Sequence, residues 1–260
     1  MATRIEEGAP SQALPTQRFT HDLTRTLFPA EPATLFRWPG DKSFVDSSPQ
    51  LLFSPRAAHV LLLERCVDLI LATSLLLILS PFMLATALLV LLSGPGPAFY
   101  RQPRLGLNGQ TFDCLKFRTM QVDADRLLQG LLESSPALRE VWMRDRKLRK
   151  DPRITPIGRF LRRYSLDELP QLFNVLRGDM SVVGPRPIAM DEAQFYAEAF
   201  SIYCSVKPGI TGAWQVGGRN DVSYERRIQL DCEYARTKSL RQDIRLLLRT
   251  VPVVLRGTGI

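Results

Sequence analysis

The chain has 260 residues, 45% of them hydrophobic, and carries 34 Lys and Arg against 26 Asp and Glu, for a net charge of +8. This excludes a wholly disordered protein and points to an anionic partner, which charge alone leaves open between nucleic acid, acidic lipid and a phosphorylated substrate. Its two histidines, His21 and His59, both precede the main apolar segment, and Cys66, Cys114, Cys204 and Cys232 lie far apart. Histidine-based triads, His-ligated metals, zinc clusters and a disulfide framework are therefore excluded, and carboxylates, Lys, Arg, Tyr and a hard metal ion must carry any chemistry.

Residues 1 to 55 hold scattered prolines, mixed charge and no sustained periodicity, and read as a disordered N-terminal extension. The first residues lack the apolar run of a secretory signal. From Leu69 to Ser93 the chain is apolar on every face, with no charge until Arg101, about the length that crosses a bilayer. Ser80-Pro81 falls near its middle, where proline removes a helical hydrogen bond and predicts a break. Arg56 and Arg65 flank one end, and Arg101, Arg104, Lys116 and Arg118 the other. A basic excess at both ends favours a re-entrant helix over 66–93, bent at Ser80 and Pro81, over a straight span.

Next, FYRQPRLGLNGQTFDCLKFRTM reads as two short strands joined at Asn108-Gly109. Asp123 to Lys150 is helical with an interruption at Pro136, and Phe160 to Arg177 reads as a helix pair around Asp167 and Glu168. GDMSVVGPRP is a rigid loop after a short apolar run, and Asp191 to Tyr203 is helical. Two helices close the chain, about Tyr224 to Thr237 and Leu240 to Leu255. The last mixes apolar residues with Arg241, Arg245, Arg249 and Arg256, which suits either a membrane interface or an ordinary amphipathic packing face.

Ser165-Leu166-Asp167-Glu168 has the spacing of a helix capping box, so on spacing alone both carboxylates are structural. The arginine-rich segment before it changes the balance, because a helix start bordered by guanidinium groups is an anion site that would keep an aspartate ionised. An ionised Asp can attack phosphorus, and a neighbouring Glu can hold Mg²⁺. Arg186 between Pro185 and Pro187, and the glycine-rich stretch from Lys207 to Arg219, are further anion-reading candidates. Asp123-Ala124-Asp125 has the D-x-D form of metal-dependent glycosyltransferases, but on a helix the two side chains diverge by about 200°. They read as helix-start acids.

Taken in order, Ser80-Pro81, FYRQPRLG, LKFRTM, DPRITPIGRFLRRYSLDELPQLFNVLRGDMSVVGPRP, KPGITGAWQVGGR and LLLRTVPVVLRGTG resemble the bacterial sugar transferases, the monotopic phosphoglycosyl transferases. The resemblance covers residue 60 or so to the C-terminus and matches the compact form of the family. It implies an α+β, mainly helical domain over 56–260, with a short β hairpin, the re-entrant helix and interfacial amphipathic helices, on the cytoplasmic face of the bacterial inner membrane. The implied reaction moves a sugar-1-phosphate from a UDP-sugar, UDP-glucose or UDP-galactose first, to polyprenyl phosphate for exopolysaccharide synthesis, releasing UMP. Asp167 would be the nucleophile and Glu168 the Mg²⁺ ligand. Lys116, Arg118, Arg153, Arg162, Arg186 and Arg219 would bind substrate phosphates. Anionic lipids and a homodimer fit as partners, and nucleic acid does not. The competing reading is a membrane-anchored basic binding protein without catalysis.

Overall fold

The computed structural model describes residues 57–145, 148, 151–218 and 222–257. The expected N-terminal extension and Arg219 lie outside the described residues.

The first element, α1, spans Ala58–Leu92, 35 residues, and is long and apolar enough to cross a membrane. The break expected at Ser80-Pro81 is not present as an interruption: the helix runs through Pro81. Pro81 has no N–H to give Leu77, and the Ser80 hydroxyl donates to that same carbonyl at 3.0 Å, so the orphaned acceptor is satisfied locally. One stripe of α1 is buried, made of Asp68, Ala72, Met83, Thr86 and Val90. Leu71, Leu76, Leu79 and Ala87 pack beside it. This helical spacing seats both halves of α1 on the same domain. The other faces are bare: Leu77, Ile78, Leu84 and Leu92 are each more than 70% exposed. So large an apolar surface calls for lipid.

Polar ties fasten α1 to the domain, among them a Glu64–Lys238 ion pair at 3.3 Å. Near its start, Arg65 donates to Val175 O at 2.6 Å and Leu176 O at 2.9 Å, and Asp68 accepts from Ser181 Oγ at 2.9 Å and Val182 N at 2.8 Å. At its end, Arg118 donates to Val90 O at 2.9 Å, to Gly94 O at 2.7 Å and to Pro95 O. Val90 O also accepts from Ser93 N at 3.3 Å and Ser93 Oγ at 2.8 Å, and a cation at this helix end complements the dipole.

The hairpin is as expected. Strands β1, Phe99–Leu105, and β2, Thr111–Phe117, pair antiparallel from Phe99↔Phe117 to Leu105↔Thr111. Asn108 (φ 56°) and Gly109 (φ 72°) make the left-handed turn between them. Helices α2, Ala124–Ser134, and α3, Pro136–Asp145, part at Pro136. Asp123 is the N-cap of α2 and Asp125 lies in its first turn, the placing of helix-start acids. Helix α4, Pro156–Arg163, begins with Pro156 at its first position, and its Thr155 cap accepts from Gly158 N at 3.0 Å.

After α4 come a 3-10 turn, Leu166–Glu168, and α5, Gln171–Arg177. Strand β3, Ser181–Val183, pairs in parallel with β4, Gly209–Thr211, a pairing the sequence analysis missed. The two chains meet so closely that a Cβ on Gly184 would fall on the backbone of Lys207 to Gly209, and one on Gly209 would fall on Gly184. Only glycine allows this approach. The helical stretch from Asp191 to Tyr203 is fragmented into α6, Ala193–Tyr196, and α7, Phe200–Tyr203, because Ala197 adopts φ +43° between them. After α8, Ala213–Val216, helices α9, Tyr224–Thr237, and α10, Leu240–Leu255, close the chain as expected.

The central core joins α1, β2, α5, β3, α9 and α10 through Ala72, Cys114, Leu172, Val182, Tyr234 and Leu246. A second cluster packs the far half of α1 on Phe117 and Leu161. Between these clusters lies the turn that carries Asp167 and Glu168.

Candidate active site

The capping box suggested by Ser165 and Glu168 is not formed. Ser165 takes a left-handed conformation (φ 57°) with no side-chain cap, and α5 starts only at Gln171, after Pro170. The left-handed Ser165 turns the chain away from α4, and the acidic pair then sits in a 3-10 turn that runs through Leu169 and Pro170 into α5. A non-glycine residue at positive φ costs about 1 kcal/mol, and such strain collects at functional turns.

Glu168 sits between two cations. Its Oε1 accepts from Lys116 Nζ at 2.8 Å and from Arg186 Nη1 at 3.1 Å, and its side chain is 15% exposed. Strand β2 delivers Lys116, and the loop after β3 delivers Arg186. Burial works to raise the Glu168 pKa, but Lys116 and Arg186 outweigh it and hold the carboxyl at about 2. Asp167, 8% exposed, forms no side-chain hydrogen bond or ion pair among the described residues. Burial first, and then the Glu168 charge, push its pKa up, against the pull of Lys116, Arg162 and Arg186. The two adjacent carboxylates thus differ in kind: Glu168 is firmly anionic and engaged, and Asp167 is poorly solvated and free to react.

Arg162 reaches this centre from α4, where Nε donates to Thr119 Oγ1 at 2.9 Å. Burial lowers its pKa, opposed by the nearby charge of Asp167. Two other expected phosphate ligands are placed elsewhere. Arg118 is spent on the carbonyls that end α1. Arg153, 4% exposed, forks onto both oxygens of Asp151 at 2.6 to 3.1 Å and lies 5.2 Å from the Trp142 ring. Arg219 lies outside the described residues.

The residues that hold Arg186 in place carry no motif in the sequence. Arg104 donates to Pro187 O at 3.1 Å, and Tyr203 OH touches Arg186 O at 3.0 Å and accepts from Ile188 N at 3.2 Å. Asp231, fully buried, accepts from Tyr196 OH at 3.0 Å through Oδ2, while its Oδ1 has no hydrogen-bond partner among the described residues. Burial drives the Asp231 pKa up to about 8. Asn174 is likewise fully buried and ties α5 to β2, accepting from Leu115 N at 2.9 Å and donating to Asp113 O at 2.7 Å. Only a polar residue inside an apolar run marked Asn174 in advance.

No group of three or more His, Cys, Asp or Glu is placed to hold a metal among the described residues. Mg²⁺ does not require one, since it commonly binds one or two carboxylates and completes its shell with water and substrate phosphates. An all-oxygen pair with one unengaged carboxylate fits that mode.

The model of the family described as bacterial sugar transferase matches residues 59–257. The exopolysaccharide production protein ExoY of Sinorhizobium fredii is 47% identical over 196 residues, 75% of this chain and 87% of that protein. The undecaprenyl-phosphate galactose phosphotransferase of Salmonella typhimurium is 48% identical over 197 residues, 76% of this chain but 41% of the longer protein. A UDP-glucose:undecaprenyl-phosphate glucose-1-phosphate transferase of Caulobacter vibrioides is 42% identical over 209 residues, 77% of this chain and 72% of that protein.

Proposed function

The chain belongs to the bacterial sugar transferase family, and from that premise we propose that it moves a sugar-1-phosphate from a UDP-sugar to undecaprenyl or another polyprenyl phosphate, through a phosphosugar carried on Asp167. It is an enzyme, a phosphotransferase acting at a membrane. The observation that carries the Asp167 reading is the unpartnered, desolvated carboxylate beside one clamped by Lys116 and Arg186.

In the first step an Asp167 oxygen bonds to the phosphorus next to the sugar, and the bond from that phosphorus to the UMP oxygen breaks. In the second, an oxygen of polyprenyl phosphate bonds to the same phosphorus, the Asp167–phosphorus bond breaks, and the carboxylate is restored. Phosphoryl transfer of this kind depends on positioning and charge neutralisation rather than on a proton relay, so the lack of histidine is no obstacle. Lys116, Arg162 and Arg186 hold the phosphate oxygens and offset their growing charge. Glu168, with Asp167 adjacent, would hold Mg²⁺, which when bound neutralises diphosphate charge.

The sugar is glucose or galactose, a choice supported by the names of the Caulobacter and Salmonella relatives. The test is UMP release by purified protein given polyprenyl phosphate, Mg²⁺ and a panel of UDP-sugars. UDP release in place of UMP would overturn the reading, and a basic binding protein would release neither.

Helix α1 serves as a re-entrant anchor with both ends on the cytoplasmic face. At about 1.5 Å per residue it could outrun the roughly 30 Å hydrocarbon layer, but a buried stripe that runs along most of its length keeps both halves beside the domain. Exposed Ile244, Leu248, Val251 and Leu255 form a second apolar stripe on α10 that suits the headgroup boundary, with its arginines toward anionic lipid. With exposed Cys66 replaced by Ser, cysteines placed at His59 and Ser93 are both expected to react with a membrane-impermeant thiol reagent only from the cytoplasmic side. Labelling from opposite sides would establish a span instead.

A further inference from the structure

Apart from the acidic pair, the most unusual electrostatic feature is two guanidinium groups set on one indole. Trp214, on α8, is 8% exposed. The Arg186 guanidinium lies 5.7 Å from its ring centroid and that of Arg227, from the second turn of α9, lies 4.8 Å away. Arg186 gives one nitrogen to Glu168, whereas Arg227 uses only Nε, on Val222 O at 3.1 Å, and has no salt bridge among the described residues. Burial, and then the charge of Arg186, press the Arg227 pKa down. Glu168 already answers the charge of Arg186, but the two Nη groups of Arg227 make no hydrogen bond among the described residues, so an anion arriving at this ring meets donors still to be engaged. The loop of Arg186 is already fixed by Arg104 and Tyr203, so the position is preformed.

We propose that Arg227, together with Arg186 on the Trp214 ring, forms a second phosphate subsite that serves both half-reactions in turn. This rests on the two-step reading above. In-line displacement places the leaving oxygen opposite the Asp167–phosphorus bond as that bond forms. The second step is the same displacement run backwards with a different phosphate, so the lipid phosphate must enter from the side by which the UMP phosphate left. One cationic subsite therefore receives the phosphate of UMP and then the phosphate of the acceptor. Arg227 faces this exchange and leaves Glu168 and Lys116 to the phosphorus under attack.

The experiment is Arg227→Gln, with Arg227→Lys as the charge-keeping control, in the full chain in lipid nanodiscs. KM is measured separately for UDP-sugar and for a short-chain polyprenyl phosphate, and UMP binding is measured at equilibrium without turnover. Removing a charged hydrogen-bond donor should raise both KM values and the UMP dissociation constant by about tenfold or more, and Lys should recover part of each. A rise in one KM alone would refute the shared subsite. So would a loss confined to kcat, or equal loss in Gln and Lys with UMP binding intact. A wild type that releases no UMP from any UDP-sugar, yet loses UMP affinity on Arg227→Gln, would overturn the transferase reading and leave the anion subsite standing.

Discussion

Asp167→Asn is expected to lower UMP release by about 10⁴-fold or more, the scale seen when a covalent nucleophile is removed. Intact-mass measurement after mixing with UDP-sugar alone should show one added phosphosugar on the wild type and none on the variant. The fold should survive. The native pKa of Asp167 is raised above the ordinary value of 3.8, so at neutral pH its ionised form weighs against folding. Asn removes that unfavourable charge at nearly constant shape, and the melting temperature should hold or rise. An Asp167→Asn protein with wild-type turnover would end the covalent mechanism. Glu168, in contrast, should never carry the adduct.

Lys116→Met carries the second-largest expected effect. Removing one cation from a desolvated phosphate site costs about 10² to 10³ in rate, as loss of a single preorganised donor does elsewhere. The pH profile should move as well. Without Lys116, Asp167 loses one of the charges that restrain its upward shift, so the acid limb of the first half-reaction moves to higher pH. Stability follows Glu168. Its carboxyl is held at about 2 against an ordinary 4.5, so its contribution, on the order of 3 kcal/mol, is complete above pH 4.5 or so and is lost as pH falls toward 2. In the variant the loss still begins near pH 4.5 but is smaller and is complete at a higher pH, the remaining contribution coming from Arg186. Denaturant melts at pH 3, 4 and 7 would show it, and an unchanged acid limb would remove Lys116 from the centre.

Local chemistry made much of the fold readable in advance. Asn108-Gly109 defined the hairpin and Pro136 divided α2 from α3, whereas α4 starts at Pro156, four residues before the expected Phe160. Errors came where one side chain or one backbone conformation departed from a general local rule. Proline predicts a break at Ser80-Pro81, but the Ser80 hydroxyl satisfies Leu77 O and the helix continues. The S-x-x-E spacing predicts a cap, but Ser165 turns left-handed. Asp167, Glu168, Lys116, Arg162 and Arg186 were visible as residue types in a family pattern, and folding draws them into one electrostatic unit. Arg118 and Arg153 show the limit of that reading, because a basic residue in a motif can be spent on carbonyls or on a neighbouring Asp. Arg104 and Tyr203 act through the backbone of one loop, which composition and spacing do not reveal.

The ties of α1 bear on how the enzyme is made. Arg65 and Asp68 hold α5 and β3, and Arg118 binds β2 to its far end, so the segments that flank the acidic turn lean on that helix. Excising it to obtain a soluble catalytic fragment would bare Cys114, Val175, Phe117 and Leu161 to water. During synthesis the helix leaves the ribosome ahead of everything it braces and meets the bilayer while the rest is still being translated. The lipid-seated helix is then the template on which the phosphotransfer chemistry is assembled.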